Sequence, residues 1–334
     1  MTNINSSIPI ALIGAGRIGK IHAGNASRNP ALNLKYIVDG YQLARDDVTA
    51  ATGAEEASLA QVFADDSIKG IIIASSTDTH ADLIEQGARA GKIIFCEKPV
   101  DLDLSRVDQC LKTVEENSVP LLVGFNRRYD PHFSALHRRL KNGEIGTIEQ
   151  IVITSRDPSP PPAEYIAVSG GIFRDMTIHD FDMARWLLDS KIISIQATGS
   201  CMVDPAIGEQ GDIDTAIIVL KTESGAICSI INSRRAVYGY DQRIEAFGSK
   251  GLLQVANVTE DQVSAITPQG MTGPRIGNFF LERYAAAYEQ EMNHFADVLK
   301  GTATPLTTGH DGRQALALAE AALRSLKTGK TIFL

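Results

Sequence analysis

The sequence is poor in the features that mark secreted, membrane and zinc-binding proteins. Its four cysteines, Cys96, Cys110, Cys201 and Cys228, form no CxxC pair, so neither a zinc ribbon nor a disulfide framework is predicted. No stretch reaches the roughly 18 apolar residues that span a bilayer, and the apolar run near the N-terminus lacks a basic leader. We therefore expect a cytoplasmic protein with no membrane partner.

Basic residues are also fewer than acidic residues. Lys and Arg number 32 against 40 Asp and Glu, giving a net charge of −8, and no basic cluster is longer than a pair such as Arg138-Arg139 or Arg234-Arg235. Phosphate backbones need a basic face, so nucleic acid is not an expected partner. A hydrophobic share of 44% and a charged share of 22% are typical of a globular chain, and 334 residues suffice for two domains.

The first third of the chain alternates short apolar runs with segments of helical periodicity. Such runs without polar alternation indicate strands buried on both faces of a parallel sheet. The predicted strands are Ile8–Ile13, 34–38, 70–74, Ile93–Cys96 and Leu121–Val123. The predicted helices are Arg17–Arg28, Gln42–Thr52, 80–90 and 104–117. This pattern predicts a doubly wound α/β domain of the Rossmann type over residues 1–124.

From residue 125 onward the pattern changes to that of an α+β domain. Four or five strand candidates follow one another between residues 192 and 256 without crossover helices, which indicates an open, mostly antiparallel sheet. Helices are predicted at Pro131–Lys141, 175–188, 280–299 and 312–326, a strand at 148–154, and a loop at the proline-rich segment 158–162. Residues 125–334 are therefore predicted to form an α+β domain.

A glycine-rich motif follows the first strand and opens the first helix. Gly14-Ala15-Gly16-Arg17-Ile18-Gly19 reads GxGxxG, which in this context indicates a dinucleotide site: a tight turn, a close approach to a pyrophosphate, and close packing of helix on strand. An ordinary glycine turn is the alternative.

Asp39 ends the second predicted strand, 20 residues after Gly19, where a carboxylate accepts hydrogen bonds from an adenosine ribose and repels a 2′-phosphate. No cation follows it directly, so NAD is favoured over NADP. A solvated aspartate at a strand end is the alternative. Ser75, Ser76 and Thr77 follow the third strand, either lining the nicotinamide half or, for Thr77 and Thr79, capping a helix.

Two further motifs carry candidate chemistry. Glu97-Lys98-Pro99 follows the fourth strand at the same sheet edge as the glycine loop, and Pro99 permits a cis bond; a plain surface lysine is the alternative. Asp175 and His179 are four apart, so on one helix they share a face, and a carboxylate there supports an imidazole acting as general base. An N-cap with a core histidine, or a metal site including Asp180, also fits this spacing, although no further metal ligands are evident.

The strand-linked GxGxxG, the Glu97-Lys98-Pro99 triplet and the Asp175-x-x-x-His179 segment together resemble the Gfo/Idh/MocA oxidoreductases. Within that family, the runs 124–130, 155–158, 173–181 and 238–241 are most similar to those of inositol 2-dehydrogenases. The resemblance implies a catalytic set of Lys98, Asp175 and His179 and polyol contacts from Arg127, Asp157, Tyr238 and Tyr240. The alternatives are that Arg127 is a surface cation and that Asp157 is a turn residue. Which of Tyr238 and Tyr240 points inward is left open.

These interpretations combine into one expected site. The cofactor residues are expected to be Gly14, Gly16, Arg17, Ile18, Gly19, Asp39, Ser75, Ser76, Thr77, His80, Glu97 and Lys98, with NAD as cofactor and no metal. The expected reaction is oxidation of myo-inositol to 2-keto-myo-inositol in inositol catabolism. Another cyclic polyol or an aldose as substrate, a non-catalytic NAD sensor, and a glycosidic-bond enzyme that recycles NAD are the alternatives. The resemblance also implies that residues 125–334 are the domain for substrate binding and oligomerisation, and that the protein is a homotetramer assembled on an apolar sheet face.

Overall fold

The computed structural model describes residues 7–334, apart from the side chain of Ala163. The chain forms two compact units. The first comprises the chain up to Tyr129 together with Ala286–Gln314, and the second comprises Asp130–Ala285 together with Ala315–Leu334. The division drawn at residue 124 does not anticipate the return of residues 286–314 to the first unit. As functional domains, residues 1–124 and 125–334 stay a prediction.

A parallel sheet forms the centre of the first unit. Its strands are β1 (Ile8–Ile13), β2 (Leu32–Val38), β3 (Glu55–Glu56), β4 (Gly70–Ile73), β5 (Ile93–Cys96) and β6 (Leu121–Val123). The connecting helices are α1 (Arg17–Arg28), α2 (Gln42–Thr52), α3 (Leu59–Ala64), α4 (Thr77–Arg89) and α5 (Leu104–Glu116). All pairs are parallel in the order β3-β2-β1-β4-β5-β6, which confirms the predicted Rossmann-type domain.

The second unit contains a seven-stranded sheet. Its helices are α6 (Pro131–Lys141), α7 (Ala163–Ser169), α8 (Ile172–Asp175), α9 (Thr177–Leu188), α10 (Pro205–Glu209) and α11 (Phe280–Arg283). Its strands are β7 (Ile148–Arg156), β8 (Ile192–Ser200), β9 (Thr215–Thr222), β10 (Ile227–Ser233), β11 (Asp241–Gly248), β12 (Gly251–Val255) and β15 (Ile332–Phe333), with a separate hairpin of β13 (Ala265–Thr267) and β14 (Gly270–Thr272).

The order of the second sheet is β12-β11-β7-β10-β9-β8-β15, and only β7 and β10 pair in parallel. The predicted open, mostly antiparallel sheet is therefore confirmed. Along β9 the side chains alternate strictly, so that Ile218 and Leu220 are buried while Ile217 and Val219 face outward.

Helix α12 (Ala285–Leu299) explains why residues 286–314 belong to the first unit. Its side chains Met292, Phe295 and Val298 join the apolar core formed by β1, β2, β4 and β5. The contact is close, because a methyl group on Gly70 of β4 would lie 2.9 Å from the Phe295 ring. Helix α13 (Gly309–Thr328) contributes its residues up to Gln314 to this unit and the rest to the second.

Two predicted helices are interrupted in the structure. The predicted helix 175–188 breaks at Met176 into α8 and α9, and the predicted helix 280–299 breaks at Tyr284 into α11 and α12. Apolar periodicity continues across both breaks and therefore does not reveal them. The proline-rich segment 158–162 contains neither helix nor strand, as predicted. Within residues 7–334, no helix is both long and apolar enough to cross a membrane.

Asp130 and Arg283 form a buried ion pair in the second unit and generate a stability prediction. Asp130 caps α6 through the backbone amides of His132 and Phe133, and its carboxylate also contacts the Arg283 guanidinium. Asp130→Ala should lower the free energy of unfolding by about 3 to 5 kcal/mol, because a buried guanidinium then loses its partner. Asp103→Ala, which removes the exposed cap of α5, is the control and should cost about 1 kcal/mol in urea unfolding. Equal costs for the two variants would contradict the assignment.

Candidate functional site

The glycine loop has the geometry that a dinucleotide requires. Gly14 has φ = +100°, and a methyl group on it would lie 2.4 Å from the Ser75 amide nitrogen, so the turn packs tightly against the end of β4. A methyl group on Gly19 would lie 2.0 Å from the Gly14 carbonyl oxygen, which shows the close helix–strand packing. Gly16 stands before the first turn of α1 with open space around it. The loop therefore leaves room for a diphosphate at the α1 N-terminus.

Asp39 lies next to the glycine loop. One of its carboxylate oxygens accepts the Ala15 N–H at 2.6 Å and the other accepts the Tyr41 N–H at 2.8 Å. Each oxygen keeps a further lone pair for a ribose hydroxyl. The sequence does not show that a cation is also nearby: the Arg45 guanidinium contacts the carbonyl oxygen of Asp39 and pairs with Glu56 at 2.9 Å. Glu56 therefore compensates the charge of this arginine.

The segment after β4 is held by local hydrogen bonds. Ser76 occupies the N-cap of α4, so the capping alternative for Thr77 and Thr79 is wrong, and Thr79 donates back to the Ser76 carbonyl at 2.7 Å. His80 is buried, and its ring nitrogens lie 2.8 Å from the Pro99 carbonyl oxygen and 3.1 Å from that of Ser75. This position suits a residue that joins the two loops at the sheet edge.

Lys98 stands at the end of β5 in a turn that is fixed on both sides. The Lys98–Pro99 peptide bond is cis. Glu97 Oε1 lies 2.7 Å from the His22 Nε2 atom, and Glu97 Oε2 accepts the Lys98 N–H at 3.3 Å. The carboxylate lies against Gly124, where a methyl group would be 2.9 Å from Oε2. The Lys98 side chain is half-buried.

Arg127 lies in the 3₁₀ helix Asn126–Tyr129 and is only 5% exposed, so the alternative of a surface cation is wrong. The adjacent Arg128 has a structural role, since it pairs with Asp311 at 2.9 Å and donates to the Leu306 carbonyl at 3.1 Å. Burial raises the pKa of Asp311, but the charge of Arg128 and hydrogen bonds from Thr308 and Arg128 lower it more, to about 2.

In the second unit, Asp175 ends α8 and His179 lies in the first turns of α9, beyond the break at Met176. The shared face of a single helix is therefore not the arrangement found. The Asp175 carboxylate accepts the Tyr165 hydroxyl at 2.9 Å and two N–H groups of Arg234 at 3.3 and 3.4 Å. His179 is half-buried. Asp175 is thus fixed by partners from α7 and from the end of β10.

Arg234 and Asp212 hold the segment that carries Asp175, and neither residue is predicted from the sequence. Arg234 is buried, and both Asp212 oxygens accept the Ile172 N–H that begins α8. A methyl group on Gly171 would lie 2.9 Å from Asp212 Oδ1. Burial raises the pKa of Asp212 above its ordinary value. Hydrogen bonds from the Ile213 and Ile172 amides and the charge of Arg234 lower this pKa, but by less than burial raises it. The adjacent pair Arg234-Arg235 is the only sequence signal for this role.

Asp180, considered above as a metal ligand, is held by protein groups. It is fully buried and accepts the Ser155 hydroxyl at 2.6 Å and the Asn232 amide at 2.8 Å. Asn232 in turn accepts the Thr177 hydroxyl at 2.7 Å. These bonds tie α9 to β7 and β10 and so fix the helix that carries His179.

The two tyrosines of the loop 238–241 have different surroundings. Tyr240 is buried, edge-on to Tyr284, whereas Tyr238 is 52% exposed. The Tyr238 hydroxyl donates to Asp241 at 2.6 Å and accepts from Arg156 at 2.7 Å. Burial raises the pKa of Asp241, but hydrogen bonds from Arg243, Tyr238 and Asn257 outweigh it, so the pKa lies below its ordinary value. Asp157 is half-buried, and its N–H bonds the Ser233 carbonyl at 2.9 Å.

Comparison with known proteins identifies both parts of the chain. The family model described as "Oxidoreductase family, NAD-binding Rossmann fold" matches residues 8–125, and the model of the GFO/IDH/MocA C-terminal domain matches residues 133–254. An inositol 2-dehydrogenase of Rhizobium meliloti is 48% identical over 326 residues, which cover 98% of this chain and 99% of that protein.

Solved structures agree. The crystal structure of a myo-inositol dehydrogenase from Corynebacterium glutamicum is 45% identical with a TM-score of 0.95, covering 98% of this chain and 99% of that chain. The structure of scyllo-inositol dehydrogenase from Lactobacillus casei with bound NAD(H) and scyllo-inositol is 27% identical with a TM-score of 0.90, covering 98% and 99%. The predicted family, fold class and NAD cofactor are confirmed.

The surroundings of two loop glycines, Gly16 and Gly19, predict different outcomes when each is changed to alanine. Gly16→Ala should leave the melting temperature nearly unchanged, because its surroundings are open, but should weaken NAD binding, because the added methyl group obstructs the diphosphate. Gly19→Ala should lower both stability and NAD binding, since its methyl group would overlap the Gly14 carbonyl. Calorimetric titration with NAD and thermal unfolding measure the two effects. Gly16→Ala binding NAD as tightly as wild type would contradict the placement of the diphosphate.

Proposed function

Because the chain belongs to the GFO/IDH/MocA oxidoreductase family, we propose that it is an NAD-dependent inositol 2-dehydrogenase that oxidises myo-inositol to 2-keto-myo-inositol (scyllo-inosose). The observation that carries the proposal is its similarity, over nearly the whole of both chains, to an inositol 2-dehydrogenase. The glycine loop and Asp39 fit the cofactor, since the loop has an open face at Gly16 and Asp39 has free lone pairs. Bound NAD supplies the hydride acceptor.

The residues of the chain supply the proton and charge chemistry. His179 accepts the hydroxyl proton as the C–H hydrogen leaves as hydride, so that the secondary alcohol becomes a ketone and NADH and one proton are formed. Lys98, as an ammonium ion, stabilises the developing alkoxide. Asp175 supports His179, and its own position is set by Tyr165 and Arg234. The lysine supplies the positive charge that zinc supplies in other alcohol dehydrogenases.

Substrate recognition uses hydrogen-bonding groups suited to a neutral polyol. Arg127, Asp157, Tyr238 and Tyr240 are the proposed contacts, a mixed set of donors and acceptors with no arginine pair to clamp a phosphate. Of the two tyrosines, Tyr238 has the more accessible ring, and its hydroxyl is held in place by Asp241 and Arg156.

A substrate panel tests the proposed function. The purified protein with saturating NAD is offered myo-inositol, scyllo-inositol and glucose, and NADH is followed by absorbance. We expect the highest kcat/KM for myo-inositol. Preference for an aldose would move the assignment to another dehydrogenase, and absence of NADH with every polyol would support a sensor or an NAD-recycling enzyme.

The catalytic roles predict large losses of turnover. Lys98→Met and His179→Ala should each lower kcat by about 10²-fold or more, while NAD binding persists. The oxidation rate of wild type should rise with pH as His179 loses its proton. His132→Ala and Lys112→Met, at exposed positions, are the controls. Near-normal turnover of His179→Ala would refute its role as base.

The carboxylate of Asp39 leads to a prediction about the cofactor preference. Asp39→Ala should weaken NAD use and improve NADP use, because the carboxylate that repels the 2′-phosphate is gone while Arg45 remains. Asp46→Ala, on the exposed side of α2, is the control. The ratio of kcat/KM for the two cofactors measures the effect. Equal use of NADP and NAD by wild type would refute the assignment.

We place the enzyme in the cytoplasm, in inositol catabolism, as a homotetramer. The outward face of the second sheet carries Ile217, Val219, Ile227, Phe247 and Leu252, each at least 40% exposed. A second copy of the chain would bury this apolar face. Light scattering should give four times the 36.0 kDa chain mass, and Val219→Asp should give smaller species. A stable wild-type monomer at micromolar concentration would contradict the assembly.

A further inference from the structure

A histidine and two glutamates meet next to the Lys98 turn, inside the first unit. His22 of α1, Glu97 after β5 and Glu291 of α12 place their ring-nitrogen and carboxylate atoms within 4.8 Å of one another. Glu97 uses one oxygen toward His22 and the other toward the Lys98 amide. The three residues are far apart in sequence, so the fold brings them together, and Glu97 connects them to Lys98.

Glu291 is the unusual member of this cluster. It is 0% exposed, and among residues 7–334 neither of its carboxylate oxygens has a hydrogen-bond partner. Met292 and Phe295 beside it on α12 belong to the apolar core, and the rings of Phe95 and Tyr288 pack edge-on against His22. An ionised carboxylate without donors is strongly unfavourable in such surroundings, whereas a neutral carboxylic acid is tolerated. Burial and then the charge of Glu97 raise the pKa of Glu291 well above its ordinary value.

A shared metal ion accounts for the geometry less well. Two ligands of one tetrahedral zinc ion, each about 2.0 to 2.2 Å from the metal, lie about 3.3 Å or more apart. The separation between His22 Nε2 and Glu97 Oε1 is 2.7 Å, which is a hydrogen-bond distance.

We propose that Glu291 is a positioning residue held as a neutral carboxylic acid, which leaves the negative charge of the carboxylate pair on Glu97 and keeps the Glu97–Lys98 turn in place. Ionised Glu291 would put a second negative charge within 4.8 Å of Glu97 in a poorly polarisable site. Glu97 has no room to withdraw, because it lies against Gly124. Repulsion would therefore shift Glu97 and, through its hydrogen bond, the Lys98 backbone.

The charged surroundings of Glu291 come from three elements. Glu97 faces it from the end of β5 and His22 from α1. On α12 itself, Glu289 is exposed, and His294 accepts the Leu306 N–H at 3.1 Å. Lys98 joins the cluster through its backbone amide. Glu97 is thus the negative group that opposes ionisation of Glu291.

The test compares Glu291→Gln, which mimics the neutral acid, with Glu289→Gln on the exposed side of the same helix. The infrared spectrum of wild type at neutral pH should show the carbonyl stretch of a buried protonated carboxylic acid. Glu291→Gln should lose this band and Glu289→Gln should keep it. If Glu291→Gln folds poorly, Glu291→Asp keeps an acid in place and should show a shifted band. Absence of the band from wild type, or its persistence in Glu291→Gln, would overturn the proposal.

Unfolding gives a second readout that does not depend on activity. The pKa of Glu291 is higher in the folded than in the unfolded chain, so the folded state binds a proton that the unfolded state releases. Its contribution to stability therefore falls as pH rises from about 4.5, the ordinary value, toward the raised folded value. The melting temperature of wild type relative to Glu291→Gln should fall between pH 5 and pH 8. If the difference in melting temperature between wild type and Glu291→Gln does not change with pH, the proposal of a neutral acid is wrong. It is also wrong if wild type holds one metal ion per chain that Glu291→Gln fails to retain.

The link to Lys98 rests on the proposed function and has its own measurement. At pH 7, Glu291→Gln should keep kcat within about threefold of wild type, and the ratio of variant to wild type should rise at alkaline pH, since only wild type can ionise at this position. A flat ratio with the infrared band present would refute the positioning role. If wild type does not oxidise inositols, the proposed function fails, while the spectroscopic and unfolding results still decide the charge state of Glu291.

Discussion

The close packing of the Gly14 turn against the end of β4 is the constraint on which the rest of the first unit depends. Gly14 has a positive φ, and Gly19 packs against the Gly14 carbonyl. These two features fix the direction in which α1 leaves the sheet. That direction puts its free N–H groups where we propose that a diphosphate binds, and it puts His22 against Glu97. The cofactor loop and the support of Lys98 are therefore consequences of the same backbone geometry.

Local signals were sufficient to predict five of the six strands of the first unit's sheet, and the short strand β3 was missed. Buried strands without alternation, a GxGxxG between strand and helix, and an aspartate at the end of β2 each have a local physical cause that survives in the fold. The five strands between residues 192 and 255 were predictable for the same reason, because glycine-containing breaks separate them. Such features depend on neighbours in sequence, which a single chain displays directly.

Features set by distant partners were not predictable. The break at Met176 interrupts no apolar periodicity, and it accompanies the anchoring of α8 by Asp212 and of Asp175 by Arg234, both from later in the chain. Arg45 reaches the Asp39 carbonyl from the next helix, and Glu56 compensates its charge. The burial of Arg127 likewise depends on its tertiary surroundings and not on its neighbours in sequence. In each case the outcome depends on contacts between different elements of the fold.

The membership of α12 in the first unit has a consequence for synthesis on the ribosome. Domains generally fold as units, N-terminal first, as the chain emerges. Here the apolar surface of β1, β2, β4 and β5 stays without Met292, Phe295 and Val298 until most of the second unit has been translated. The apolar side chains of these four strands that contact α12 in the folded protein therefore stay uncovered by that helix throughout this interval.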